Sequence, residues 1–120
     1  LFRSNHETYE AYKKIASKFN DENLELIKEK FYATKYLNPK KLDSINQKSD
    51  NNLKRKYLYT ANFAINHKDF EASPYIVLTE IKDINIQFLD TIQKSMSPKV
   101  AQSLYGKKLT EYVNLIKKNN

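Results

Sequence analysis

The chain has 120 residues, 40 % of them apolar, enough for one domain with a real core; one Gly and three Pro leave too few turn residues for an all-β fold. The absence of Cys excludes disulfides, Cys-ligated zinc and thiol chemistry within this chain. The net charge of +7 permits anionic partners, but the lysines are scattered and only two basic residues are Arg, so the clustered stripe of a nucleic-acid interface is missing.

Residues 4–37 read as helix, with a break at Asn20-Asp21 as the alternative. Ser4 is a cap, and Glu7 follows it at capping-box spacing. Tyr9, Tyr12, Ile15, Ala16 and Phe19 form an apolar stripe, which Leu24, Ile27, Phe31 and Thr34 extend. Asn38-Pro39 is a turn and restart, because Pro disfavours helix before it and suits the first turn after it. A second helix over about 40–66 follows, with Leu42, Ile45, Ser49, Leu53, Tyr57, Ala61, Ala64 and Ile65 at a seven-residue-like spacing. The polar run 47–52 is a candidate loop within it.

His67-Lys68-Asp69 begins a connection. Ser73-Pro74 reads as a cap followed by the first helical residue, which predicts helix over 74–82. Tyr75-Ile76-Val77-Leu78 is β-rich, and a buried strand is the competing reading. Asp83 or Asn85 caps a further helix through Ile86, Phe88, Leu89 and Ile92 to about Lys94. Ser97-Pro98 repeats the cap-plus-Pro device, and Ser103 caps a last helix carrying Leu104, Tyr105, Leu109, Tyr112, Val113 and Ile116. Gly106 falls in its first turn. A Gly there costs about 1 kcal/mol relative to Ala, so Tyr105 and Gly106 are expected where the last helix packs closely against the preceding short ones.

Candidate chemistry is sparse. His6 with Glu7 and Glu10 supplies part of a metal site, but a site needs three or four ligands and supporting partners. Glu22, Glu25 and Glu29 share helical spacing without a neighbour that would separate their pKa values for acid–base work. Ser97 and Ser103 lack a base and a nucleophile elbow. Tyr9, Tyr12, Tyr57, Tyr59, Tyr75, Tyr105 and Tyr112 fall on apolar stripes and read as packing residues. No cofactor is implied.

The run Ser97-Pro-Lys-Val-Ala-Gln-Ser-Leu-Tyr-Gly-Lys-Lys-Leu109 resembles the segment before the thioredoxin domain in TlpA-like thiol–disulfide oxidoreductases of Bacteroidetes-type bacteria. Ala72-Ser73-Pro74-Tyr75 fits an earlier helix start in that pattern. The likeness is strongest over 72–118 and weaker over 1–71. It implies a helical region between an N-terminal β domain and a C-terminal thioredoxin domain with a Cys-x-x-Cys site, in an exported, periplasmic or envelope-associated protein. Neither flanking domain lies within these residues, so no catalytic residue carries over. The implied partners are those two domains and client proteins.

The expectation is therefore all-α: a single helical domain over 1–120, with two long antiparallel helices (1–66) and then three or four shorter ones (72–118). No run reaches the roughly 18 apolar residues of a membrane span. The start at Leu1, without Met or signal peptide, reads as an excised internal fragment. The expected structural residues are Ser73, Pro74, Ser97, Pro98, Ser103, Tyr105 and Gly106. The expected role is a non-catalytic spacer; an independent helical binding module is the alternative.

Overall fold

The computed structural model describes residues 4–119. Six helices follow one another: α1 (Asn5–Lys35), α2 (Pro39–Asn66), α3 (Ala72–Glu80), α4 (Ile86–Ser95), α5 (Pro98–Ala101) and α6 (Leu104–Asn119). No strand occurs among the described residues. The Tyr75–Leu78 segment, read alternatively as a strand, lies in α3. Asn20-Asp21 and 47–52 are helical too. Neither stretch contains Pro or Gly, and Asn52 finds a partner for its side-chain amide across the hairpin, on the Phe19 carbonyl at 3.0 Å.

Most helix starts follow local chemistry. Ser4 Oγ accepts the Glu7 N–H at 3.1 Å, and Asn85 Oδ1 accepts the Gln87 N–H at 2.8 Å. Ser97 Oγ accepts the Val100 N–H at 3.4 Å, with Pro98 as the first residue of α5. Ser103 Oγ accepts the Gly106 N–H at 3.2 Å at the start of α6. Each bond satisfies a donor that the first helical turn leaves over.

Ser73 corrects the pattern. It lies inside α3, buried, and its Oγ donates to the His67 carbonyl at 2.6 Å. The helix begins earlier, at Ala72, whose N–H is accepted by Asn5 Oδ1 at 2.9 Å. Pro74 is the third residue of α3, where a missing N–H still leaves no intrahelical bond unmade.

Contacts divide the chain into two compact units, one of residues 1–12 with 57–120 and one of 13–56. The division falls within the two long helices, not in the connection after residue 66. In the first unit, α6 packs on α3, α4 and α5. Its core holds Ala61 and Ala64 of α2, Val77 of α3, Leu89 and Ile92 of α4, Val100 of α5, and Leu109 and Val113 of α6. Beside it Tyr12 is fully buried, edge-on to Phe63 and stacked on Tyr59. Its hydroxyl shares a 2.9 Å hydrogen bond with buried Thr60 Oγ1.

The second unit is an antiparallel hairpin. Leu26 and Ala33 of α1 pack with Ile45 of α2, and Leu42 covers them. Higher up, Asn52 reaches Phe19, and Arg55 pairs with Glu22 at 2.7 Å. At the turn Leu37 adopts φ 50, and the Leu37 and Asn38 N–H groups return to the Thr34 and Ala33 carbonyls at 3.2 and 3.0 Å. This is a Schellman closure with Leu where Gly is usual. Asn38 Oδ1 then accepts the Lys41 N–H at 3.1 Å and starts α2.

The expected extension of the core stripe is overturned here. Leu24, Ile27 and Phe31 are 57, 55 and 67 % exposed. The line that turns inward runs through Tyr12, Phe19, Leu26 and Ala33, seven residues apart, and it meets Ile45 and Asn52, also seven apart. At about 100° per residue, the Leu24–Ile27–Phe31 line lies roughly 140° round the helix from Leu26 and Ala33. Leu53, counted in the α2 stripe, is likewise exposed.

Candidate functional site

The closing stretch forms a junction held by polar staples. Gly106 is buried in the first turn of α6, and a Cβ built on it would overlap the Val100 carbonyl oxygen and stand 2.8 Å from the carbonyl carbon. That oxygen also accepts Ser103 N–H at 3.0 Å and Ser103 Oγ at 2.5 Å. The Glu71 carboxylate accepts the Tyr105 N–H at 3.0 Å, placing negative charge at the positive end of α6. The Tyr105 ring meets Tyr75 edge-on at 4.9 Å, Tyr75 meets Tyr9 at 5.7 Å, and Lys108 Nζ sits 5.3 Å over Tyr105. Asn5, Glu71, Ala72, Tyr75 and Tyr105 line a shallow cleft. The Asn5, Glu71 and Ser103 side-chain oxygens in this cluster each accept a backbone N–H.

Ser97, Pro98, Ser103, Tyr105 and Gly106 thus come together between α5 and α6, while Ser73 and Pro74 sit in the buried face of α3. The Ser97 and Ser103 hydroxyls are engaged with backbone groups, and Ser103 shares a cleft with Asp69, Glu71 and Lys99. His67 stacks on Phe63 at 4.0 Å, with Nδ1 2.8 Å from the Phe63 carbonyl oxygen. Among the described residues no group of three or more His, Cys, Asp or Glu could hold a metal. Glu22 and Glu25 are taken up by Arg55 and Lys28.

The perturbed ionisations have structural causes. Burial pushes the Tyr12 phenol up to about 12, against the opposing hydrogen bond from Thr60. Burial also raises Tyr59, and it raises Tyr112 with help from Asp83. Lys117 and then Lys94 hold the Asp90 carboxyl below its ordinary value by donating to it.

The surface that the sequence reading missed lies on the hairpin. Leu24, Ile27 and Phe31 line the outer side of α1, and Tyr32, Tyr36 and Leu37 stand exposed toward the turn. The signal was present as an i, i+3, i+7 series, but it reads the same whether it faces a core or a partner. No protein family, curated protein or solved structure matches the chain. No described helix is long and apolar enough to cross a membrane.

Proposed function

We propose that this chain is a non-catalytic helical positioning domain, serving a thioredoxin-like domain in an exported TlpA-type thiol–disulfide oxidoreductase. The reading rests on one observation: the residues that carry the resemblance are architectural. Ser97, Pro98 and Ser103 start helices, and Gly106 allows α6 to close on the Val100 carbonyl. A run that fixes helix geometry and offers no nucleophile suits a spacer that sets the reach of a neighbouring redox site. With no Cys, the reacting thiolate must come from another domain.

An independent protein- or peptide-binding module is the second reading, favoured by the exposed apolar side chains on the outer side of α1. The coding sequence beyond Asn120 separates the two. A Cys-x-x-Cys within a βαβ pattern supports the positioning domain, and a stop codon overturns it in favour of the module. In an insulin-reduction assay the isolated chain is expected to show no turbidity above buffer.

A further inference from the structure

A solvated helix keeps its outer face polar. Over 24–35, α1 does the opposite: it buries Leu26 and Ala33 inward and presents Leu24, Ile27 and Phe31 outward. The opposing helix is ordinary. After Pro39, the exposed residues of α2 next to the turn are Lys40, Lys41, Asp43, Ser44, Asn46 and Gln47, all polar. Near the turn, the exposed large apolar side chains of the hairpin are thus those of α1, among them Leu24, Ile27 and Phe31.

The charge is equally lopsided. Residues 13–56 hold twelve basic and six acidic side chains, a net +6 out of the chain's +7. Around the apolar crest, residues 24–41 contain five lysines and two glutamates. On the helix, Lys30 borders the Leu24–Ile27–Phe31 line on one side, and Lys28 and Lys35 border it on the other. Lys28 also pairs with Glu25 at 3.4 Å, an exposed contact that leaves both groups hydrated. Tyr32 and Tyr36 stand beside the line, with Lys35 Nζ 5.7 Å over the Tyr36 ring.

We infer that the outer face of α1 around Leu24, Ile27 and Phe31 docks on an anionic membrane surface, lying parallel to it with Ile27 and Phe31 at the headgroup boundary. An apolar crest between flanking lysines is the pattern of an interfacial helix. The lysines meet acidic headgroups, which attract basic side chains near the surface. Tyrosine rings suit the same depth, apolar at the face and polar at the hydroxyl. The crest is a single convex helix face, which meets a flat surface more fully than it would grip a peptide. A second copy is disfavoured, because pairing through this face would set the same lysines against each other.

The test is partition of the whole chain onto phosphatidylcholine vesicles with and without phosphatidylglycerol. Binding is expected only with the anionic lipid. Ile27→Ser/Phe31→Ser keeps the charge and is expected to lower partition at least ~10-fold, since two large apolar side chains no longer leave water on docking. The chain has no Trp, so Phe31→Trp is a sole reporter whose emission is expected to shift blue on these vesicles. Leu115→Trp, at a site 57 % exposed on α6, is expected to stay unshifted. Unchanged partition of the double Ser variant, an absent Phe31→Trp shift, or equal shifts at both sites overturns the proposal. So does a concentration-dependent dimer that the Ser changes abolish, which assigns the face to a second copy.

Discussion

Gly106→Ala tests the junction most directly. At an open helical position the change would stabilise by about 1 kcal/mol through helix propensity. Here the new methyl overlaps the Val100 carbonyl oxygen and stands 3.0 Å from the Ala101 Cα. These are backbone atoms, so relief requires α5 and α6 to separate. Forcing one methylene into a packed site costs typically 1–3 kcal/mol, and backbone contact places this site at the upper end. Separation also stretches the bond from Gly106 N–H to Ser103 Oγ, a cap whose loss costs about 1 kcal/mol. Subtracting the propensity gain leaves a net loss of about 2–3 kcal/mol. With a urea slope of about 2 kcal/mol/M, the midpoint by circular dichroism should fall by about 1 M or more. Lys107→Ala, one residue on and exposed, serves as the control and should move it little. An unchanged or raised midpoint for Gly106→Ala refutes the close-packing argument. Tyr105→Ala should cost less than a fully buried aromatic does, about 1–2 kcal/mol, because the ring is only half-buried.

Three further outcomes follow from other parts of the fold. Tyr12→Phe and Thr60→Val should each cost about 1 kcal/mol in urea titration by leaving one buried oxygen unpaired, while the double variant should be closer to wild type than their sum. Leu37→Gly should raise stability by up to about 1 kcal/mol, read as a higher melting midpoint, because it relieves a left-handed backbone at a side chain 85 % exposed. Asp90→Asn should lower the midpoint at pH 7 but not at low pH. The folded carboxyl is depressed below its ordinary value, so its contribution is complete above the unfolded pKa and disappears as pH falls through the folded one; titration of both proteins from pH 7 to pH 2 at low salt checks this.

Legibility in the sequence followed the range of the interaction. Ser4, Asn85, Ser97 and Ser103 cap bonds two or three residues away, so their role is written locally. Ser73-Pro74 carries the same local signature and misleads, because the donor at the head of α3 is met by Asn5, 67 residues earlier. Gly106 was legible as a cost without a local reason, but the Val100 carbonyl that supplies the reason depends on how α5 folds back. In α1 two apolar lines compete. The one ending in Leu24, Ile27 and Phe31 is richer in large side chains, yet the seven-residue line through Leu26 and Ala33 faces the hairpin partner. Hydrophobicity alone ranks them the wrong way round, and the exposed candidate surface went unseen for the same reason.

Asn52 is buried in the hairpin with its Oδ1 unbonded and its amide fixed on the Phe19 carbonyl. A polar group held this way resists sliding: displacing one helix by a turn would strand it among apolar neighbours. The inward residues on both helices recur every seven positions, so hairpin length is quantised. Inserting or deleting one seven-residue block in each helix keeps Asn52 opposite Phe19 and changes the length by about 10 Å. Increments of one, two, five or six residues rotate the inward line by about 100° or more, out of the seam. An engineer adjusting the span of this protein would work in blocks of two or more whole turns, not residue by residue.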